Sequence, residues 1–89
     1  MNKIERYDLV EQIEASRKIL GLAMEDIAQS LGVRYQTYWH WLKKRGYPSG
    51  ENCNRMKAFL ENSRDKVNKA ITEQQATLRK HKAFLKKGA

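Results

Sequence analysis

Arg34, Lys43, Lys44 and Arg45 enclose a stretch in which Tyr35, Gln36, Thr37, Tyr38, Trp39, His40 and Trp41 follow one another. Residues 34–48 hold four basic groups and no acidic one. A merely solvated face mixes the two signs, so a uniform sign points to a polyanionic partner. The Gln36 amide can pair bidentately with an adenine edge and the Arg34 guanidinium with guanine. Lys43, Lys44 and Arg45 suit phosphate oxygens, with the Thr37 hydroxyl as a neutral addition. Five of the six Tyr and Trp residues fall between 35 and 47, and aromatic rings interleaved with cations also suit stacking on unpaired bases.

Other chemistry finds little purchase. His40 and His81 are far apart in the chain, and Cys53 is the only cysteine, so a zinc site is not expected and Cys53 reads as a small buried hydrophobe. A Ser-His-Asp arrangement, a glycine-rich phosphate loop and a supported carboxylate pair are all missing from the pattern, so neither an enzyme nor a cofactor is expected. No run of residues approaches the roughly 20 apolar positions of a spanning helix, and Met1 to Asp8 interleaves charge with single apolar residues, which together predict a cytoplasmic, nucleoid-associated protein. The 89 residues carry a net charge of +8, unevenly placed: −2 over 1–33, +4 over 34–48, zero over 49–63 and +6 over 64–89.

The elements that must position these groups read as helices, because apolar residues recur at steps of three and four and no strand pattern occurs. Five are predicted. The first runs from about Asp8 to Leu20, with Asp8 and Glu11 spaced as a capping box, Leu9, Ile13 and Leu20 on one face, and Gly21 as its stop. The second spans about Met24 to Leu31, with Glu25 and Asp26 at the positive end of its dipole and Ile27, Ala28 and Leu31 facing inward. The third spans about Tyr35 to Lys44 and is stopped by Arg45-Gly46-Tyr47-Pro48. The fourth starts at Ser49 to Glu51, turns Met56, Phe59 and Leu60 to the core and ends near Glu61, where Asn62-Ser63 both closes it and caps the next. The fifth, from Arg64 to about Lys87, carries a seam of Val67, Ile71, Gln74, Leu78, His81 and Leu85 at alternating steps of four and three.

The run Leu20-Gly-Leu-Ala-Met-Glu-Asp-Ile-Ala-Gln-Ser-Leu-Gly-Val33, followed by Tyr38, Trp41 and Gly46-Tyr-Pro-Ser49, resembles the phage Cro and CI repressor family over about Tyr7 to Glu61. The likeness has a physical basis. Ala28 is small where the second and third helices cross, Gly32 reaches a backbone shape that side chains resist, and Val33 plugs the turn. Met24 departs from the family's usual glutamine, and Ala23 and Arg34 stand where Ser or Thr often caps the two helices. Leu42 replaces a common acidic residue. The resemblance implies an all-α, lambda-repressor-like helix-turn-helix domain over residues 1–62, followed by a basic amphipathic helix over 63–89 that serves as a dimerisation or DNA-clamping arm.

In such a fold the third helix lies in the major groove of duplex DNA. With Tyr38, Trp41 and Leu42 turned inward, Gln36, Trp39, His40 and Lys43 share the outer side and Tyr35 lies at its edge. Gln36 and Arg34 lead the expected base readers, followed by Tyr35, His40 and Trp39; the last could instead press a thymine methyl, stack on a neighbour or anchor a protein. The function implied is that of a transcriptional repressor acting as a homodimer on an inverted repeat. A protein-interaction or antitoxin use of the same fold, and RNA binding through the aromatic and basic strip, stand as alternatives. For the last helix, packing on its own domain, pairing with a second copy, and phosphate contact through Arg79, Lys80, Lys82, Lys86 and Lys87 all remain open.

Overall fold

The computed structural model describes the backbone of residues 1–88 and the side chains of residues 1–82. Four helices and no strand occur among the described residues: α1 Lys3–Leu20, α2 Met24–Leu31, α3 Tyr35–Leu42 and α4 Gly50–Gly88. No helix among them is long and apolar enough to cross a membrane.

Helix α1 starts five residues ahead of the expected Asp8. Its cap is Asn2, whose side-chain oxygen accepts from the Glu5 amide at 2.8 Å, so the Asp8-Glu11 pair lies inside the helix rather than at its entrance. Gly21 closes α1 in the left-handed conformation (φ 69°), with its amide and that of Leu22 donating to Lys18 and Arg17 carbonyls. Helix α2 occupies its expected span. Ala23 offers no capping side chain, but the Asp26 carboxylate accepts from the Ala23 amide at 3.0 Å and recovers half of a capping box. Gly32 (φ 71°) then ends α2, and the Val33 amide donates back to the Ala28 carbonyl. That compact bond pattern leaves a two-residue step, Val33 and Arg34, before α3 begins.

The core gathers Leu9, Val10 and Ile13 of α1, Ile27, Ala28 and Leu31 of α2, Tyr38 and Trp41 of α3, and Cys53 and Met56 of α4. Leu22, Met24, Val33, Leu42, Phe59 and Leu60 pack around it. Each helix therefore contributes the stripe that its three-and-four spacing marks, and burial of such stripes is what holds helices this short in place.

Two helix ends differ from expectation. α3 stops at Leu42, not Lys44. The fourth and fifth expected helices are one: Ser49 caps α4, its hydroxyl accepting from the Asn52 amide at 3.2 Å, and the helix continues unbroken through Asn62-Ser63. Ser63 is buried, and its hydroxyl donates to the Phe59 carbonyl at 2.7 Å, one turn back. Bonded in that way a serine belongs inside a helix and leaves its cap function unused. The 39 residues of α4 span about 58 Å at 1.5 Å per residue, and it still meets α1 as far along as Gln74, which bonds to the Ile19 carbonyl.

Candidate nucleic-acid interface

Helix α3 is anchored from within. Tyr38 is fully buried, and its hydroxyl donates to Glu14 Oε1 on α1 at 3.1 Å. Glu14 in turn accepts two bonds from Arg17, at 2.5 and 3.0 Å, and Arg17 Nη1 donates to the Leu22 carbonyl at 2.8 Å. One network thus joins α3, α1 and the turn into α2. The Arg17 bond, added to by the Tyr38 hydroxyl, holds the Glu14 carboxyl below its ordinary range despite some desolvation. Burial, with the Glu14 charge beside it, pushes the Tyr38 phenol well above its ordinary value, so it stays a donor. Trp41, 5% exposed, meets Tyr38 edge to face with ring centres 6.3 Å apart.

The opposite side of α3 is open. Arg34, Gln36 and His40 are exposed, Tyr35 is 42% exposed at the edge, and Thr37 and Trp39 are half-buried. Arg34 occupies the cap position and forms no side-chain cap bond. The first turn of α3 therefore projects Arg34, Tyr35 and Gln36 together. Two of the seven expected inner and outer positions are graded rather than binary, since Leu42 and Trp39 are both half-buried.

Past Leu42 the chain closes in a two-bond Schellman turn. The Lys44 amide donates to the Trp41 carbonyl at 3.1 Å and the Arg45 amide to the His40 carbonyl at 2.9 Å. The left-handed residue of this turn is Lys44 (φ 57°), not the glycine at 46. Lys43, Lys44 and Arg45 are all exposed. They do not hang free: Lys43 Nζ and Arg45 Cζ stand 5.8 and 5.2 Å from the centre of the Trp39 ring, while His40 meets the ring edge at 5.3 Å. Trp39 is thereby explained as a platform for two cations. Such contacts hold about 0.5–1 kcal/mol each at exposed sites.

Lys44 Nζ lies 5.8 Å from the Tyr7 ring of α1, and the Tyr47 ring lies under Lys3 Nζ (5.8 Å) and Arg6 Cζ (5.4 Å). Arg6 Nη1 also donates to the Pro48 carbonyl at 2.7 Å. The start of α1 is thus fastened to the turn after α3, and Lys3 and Arg6 join Lys43, Lys44 and Arg45 in one basic district. Segment charge conceals these two, because residues 1–33 sum to −2. The overlooked signal is the Asn2-Glu5 spacing: a helix capped there places Lys3, Arg6 and Tyr7 on one face.

The α4 seam divides along its length. Val67 and Ile71 are half-buried within the single chain, and Gln74 Nε2 donates to the Ile19 carbonyl at 3.3 Å. A shallow groove beside it is lined by Ile19, Ala70, Glu73, Gln74, Thr77 and Leu78. Leu78 is 58% exposed and His81 is exposed. The side chain of Leu85, with those of Lys86 and Lys87, lies outside the described residues. Arg79, Lys80 and Lys82 are exposed.

No protein-family model, no curated protein and no solved structure matches the chain.

Proposed function

We propose that this chain is a helix-turn-helix protein of the Cro/CI kind that binds duplex DNA through α3 and regulates transcription, acting as a dimer that occludes a promoter. The observation that carries this reading is the two-sidedness of α3. Its inner side, Tyr38 and Trp41, is core, while Arg34, Tyr35, Gln36 and His40 face outward and cations crowd its far end. A rod of this width, polar and uncharged by acids on its outer side, fits the major groove, and its first-turn residues would meet base edges.

In this reading Gln36 and Arg34 read bases, with Tyr35 and His40 beside them, and Lys43, Lys44, Arg45 and Thr37 hold phosphate. Trp39 acts through the cations it carries, and that covering weighs against its serving as an apolar anchor for a protein partner. Pairing of two copies would use α4 beyond Gln74, since the earlier seam residues are engaged within the chain. Two reading helices would then address half-sites about 34–36 Å apart, or a multiple of that spacing.

Polarisation titration of a labelled random duplex, repeated across salt concentrations and with single-stranded competitor, tests the class of partner. Duplex binding with a steep salt dependence is the expected result. Preference for single strands would favour the RNA alternative, and salt-insensitive behaviour without duplex affinity would favour the protein-interaction one. Fragments selected from random duplex should share a motif. Gln36→Ala should then blur discrimination among duplexes, whereas Lys43→Ala should weaken all of them alike.

A further inference from the structure

We propose that the start of α1, through Lys3 and Arg6, forms with Lys44 a second phosphate anchor, so that the protein grips the duplex backbone beyond the segment read by α3. This rests on the DNA-binding reading above and adds a region of the chain to it.

Three observations carry it. Lys3, Arg6 and Tyr7 fall within an arc of roughly 100° on α1, while Glu5 and Asp8 stand roughly 140–200° away from Lys3 around the helix. Over Lys3–Asp8 the face turned toward the loop is therefore free of acids, and Glu11 and Glu14 come onto it only further along α1. The Tyr47 ring lies under Lys3 and Arg6, the Tyr7 ring under Lys44, and the Arg6 bond to the Pro48 carbonyl closes the join. These side chains are thus gathered before any ligand arrives. Finally, the patch is continuous with Lys43 and Arg45, which stand on Trp39 at the end of α3. Lysine and arginine carry about 2 kcal/mol of rotamer entropy each, and partial ordering on aromatic rings reduces what must be lost on binding. Phosphate oxygens along a duplex supply the repeating anionic charge that several cations spread over one surface can meet together.

Lys3→Gln is the first variant to test, because Lys3 is exposed and its side chain gives the fold only the Tyr47 contact, so stability should fall by no more than about 1 kcal/mol. Each phosphate contact contributes about 0.9 to the log-log salt slope, so the slope should fall by about that amount and affinity near 0.1 M salt by about eightfold. Lys3→Arg should restore both, and Lys57→Gln on α4 should change neither. Gln36→Ala serves as the counterpart, lowering affinity for a selected duplex with the slope kept. Duplex binding with an unaltered slope in Lys3→Gln would overturn the second anchor and leave the α3 reading standing. Absence of duplex binding by the unaltered protein would overturn both.

Discussion

Lys44 adopts a conformation that glycine favours, at a place where charge is useful, and the two demands can be separated by comparing Lys44→Ala with Lys44→Gly. Its φ of 57° completes the Schellman turn at the end of α3. A side chain in the left-handed region costs about 1–2 kcal/mol, and alanine retains that cost. Glycine removes it but adds about 0.5–1 kcal/mol through its larger freedom in the unfolded chain. Both variants lose the Tyr7 contact equally. The glycine variant should therefore be about 0.5–1 kcal/mol more stable than the alanine variant, reversing the order found in a helix interior. For a domain of this size that difference is about 2–8 °C in Tm, within reach of thermal unfolding followed by circular dichroism. Duplex affinity should fall by the same factor in both, with the salt slope reduced by about 0.9. An alanine variant as stable as the glycine one would refute the strain, and an unchanged affinity in either would refute the phosphate role.

The Glu14 network makes stability sensitive to acid. Because the folded carboxyl titrates below its unfolded value of about 4.3, its contribution is full above that value and is lost as pH falls through the folded one. Glu14→Gln should cost about 1–2 kcal/mol at neutral pH and flatten the decline between roughly pH 5 and 3; equal acid profiles for both proteins would count against it. Gly21→Ala and Gly32→Ala should each cost about 0.5–1 kcal/mol net of glycine's unfolded-chain freedom and differ little in urea titrations, because the new Cβ at 32 meets only the flexible end of Arg55, at 3.1 Å, and that at 21 meets nothing. A much larger loss at Gly32 would show that Arg55 cannot swing aside. A chain ended after Thr72 should fold, sediment as a monomer and bind duplex poorly, whereas one ended after Ser63 should lose a further ~2 kcal/mol from Val67 and Ile71. Sedimentation of the full chain as a monomer would remove the dimer from the account.

How far the residues disclosed their own arrangement depended on whether local chemistry had one solution or two. At Gly21 and Gly32 it had one, and both adopt the left-handed turn expected of them. The inward stripe of Ile27, Ala28, Leu31, Tyr38 and Trp41 was equally legible, since no other face of α2 or α3 is apolar enough to bury. The entrance of α1 had two solutions, because Asn2 and Asp8 each precede a glutamate by three residues. Contacts from residues far along the chain, Lys44, Tyr47 and Pro48, join the earlier turn to the body, and they are invisible in a local pattern. Ser63 shows the same ambiguity at one residue: its hydroxyl can cap a helix or bond one turn back, and burial beside Phe59 selects the second. The outer face of α3 followed from its inner one, but the grouping of cations on rings required the turn at Lys44 to be known.

Trp39 offers a way to ask whether ordering of charge, and not charge alone, supports binding. In Trp39→Leu every cation of the district remains, yet Lys43 and Arg45 lose the ring that stations them. The number of phosphates neutralised is then unchanged, so the salt slope should hold. What changes is the cost of fixing two long side chains at the moment of binding, and a loss of about 0.5–1 kcal/mol corresponds to about a two- to five-fold weaker Kd. The weakening should be the same for every duplex. If instead the loss appears only on selected sequences, Trp39 touches a base, and its role passes from platform to reader; if affinity is untouched, the cations are ordered by something other than the ring.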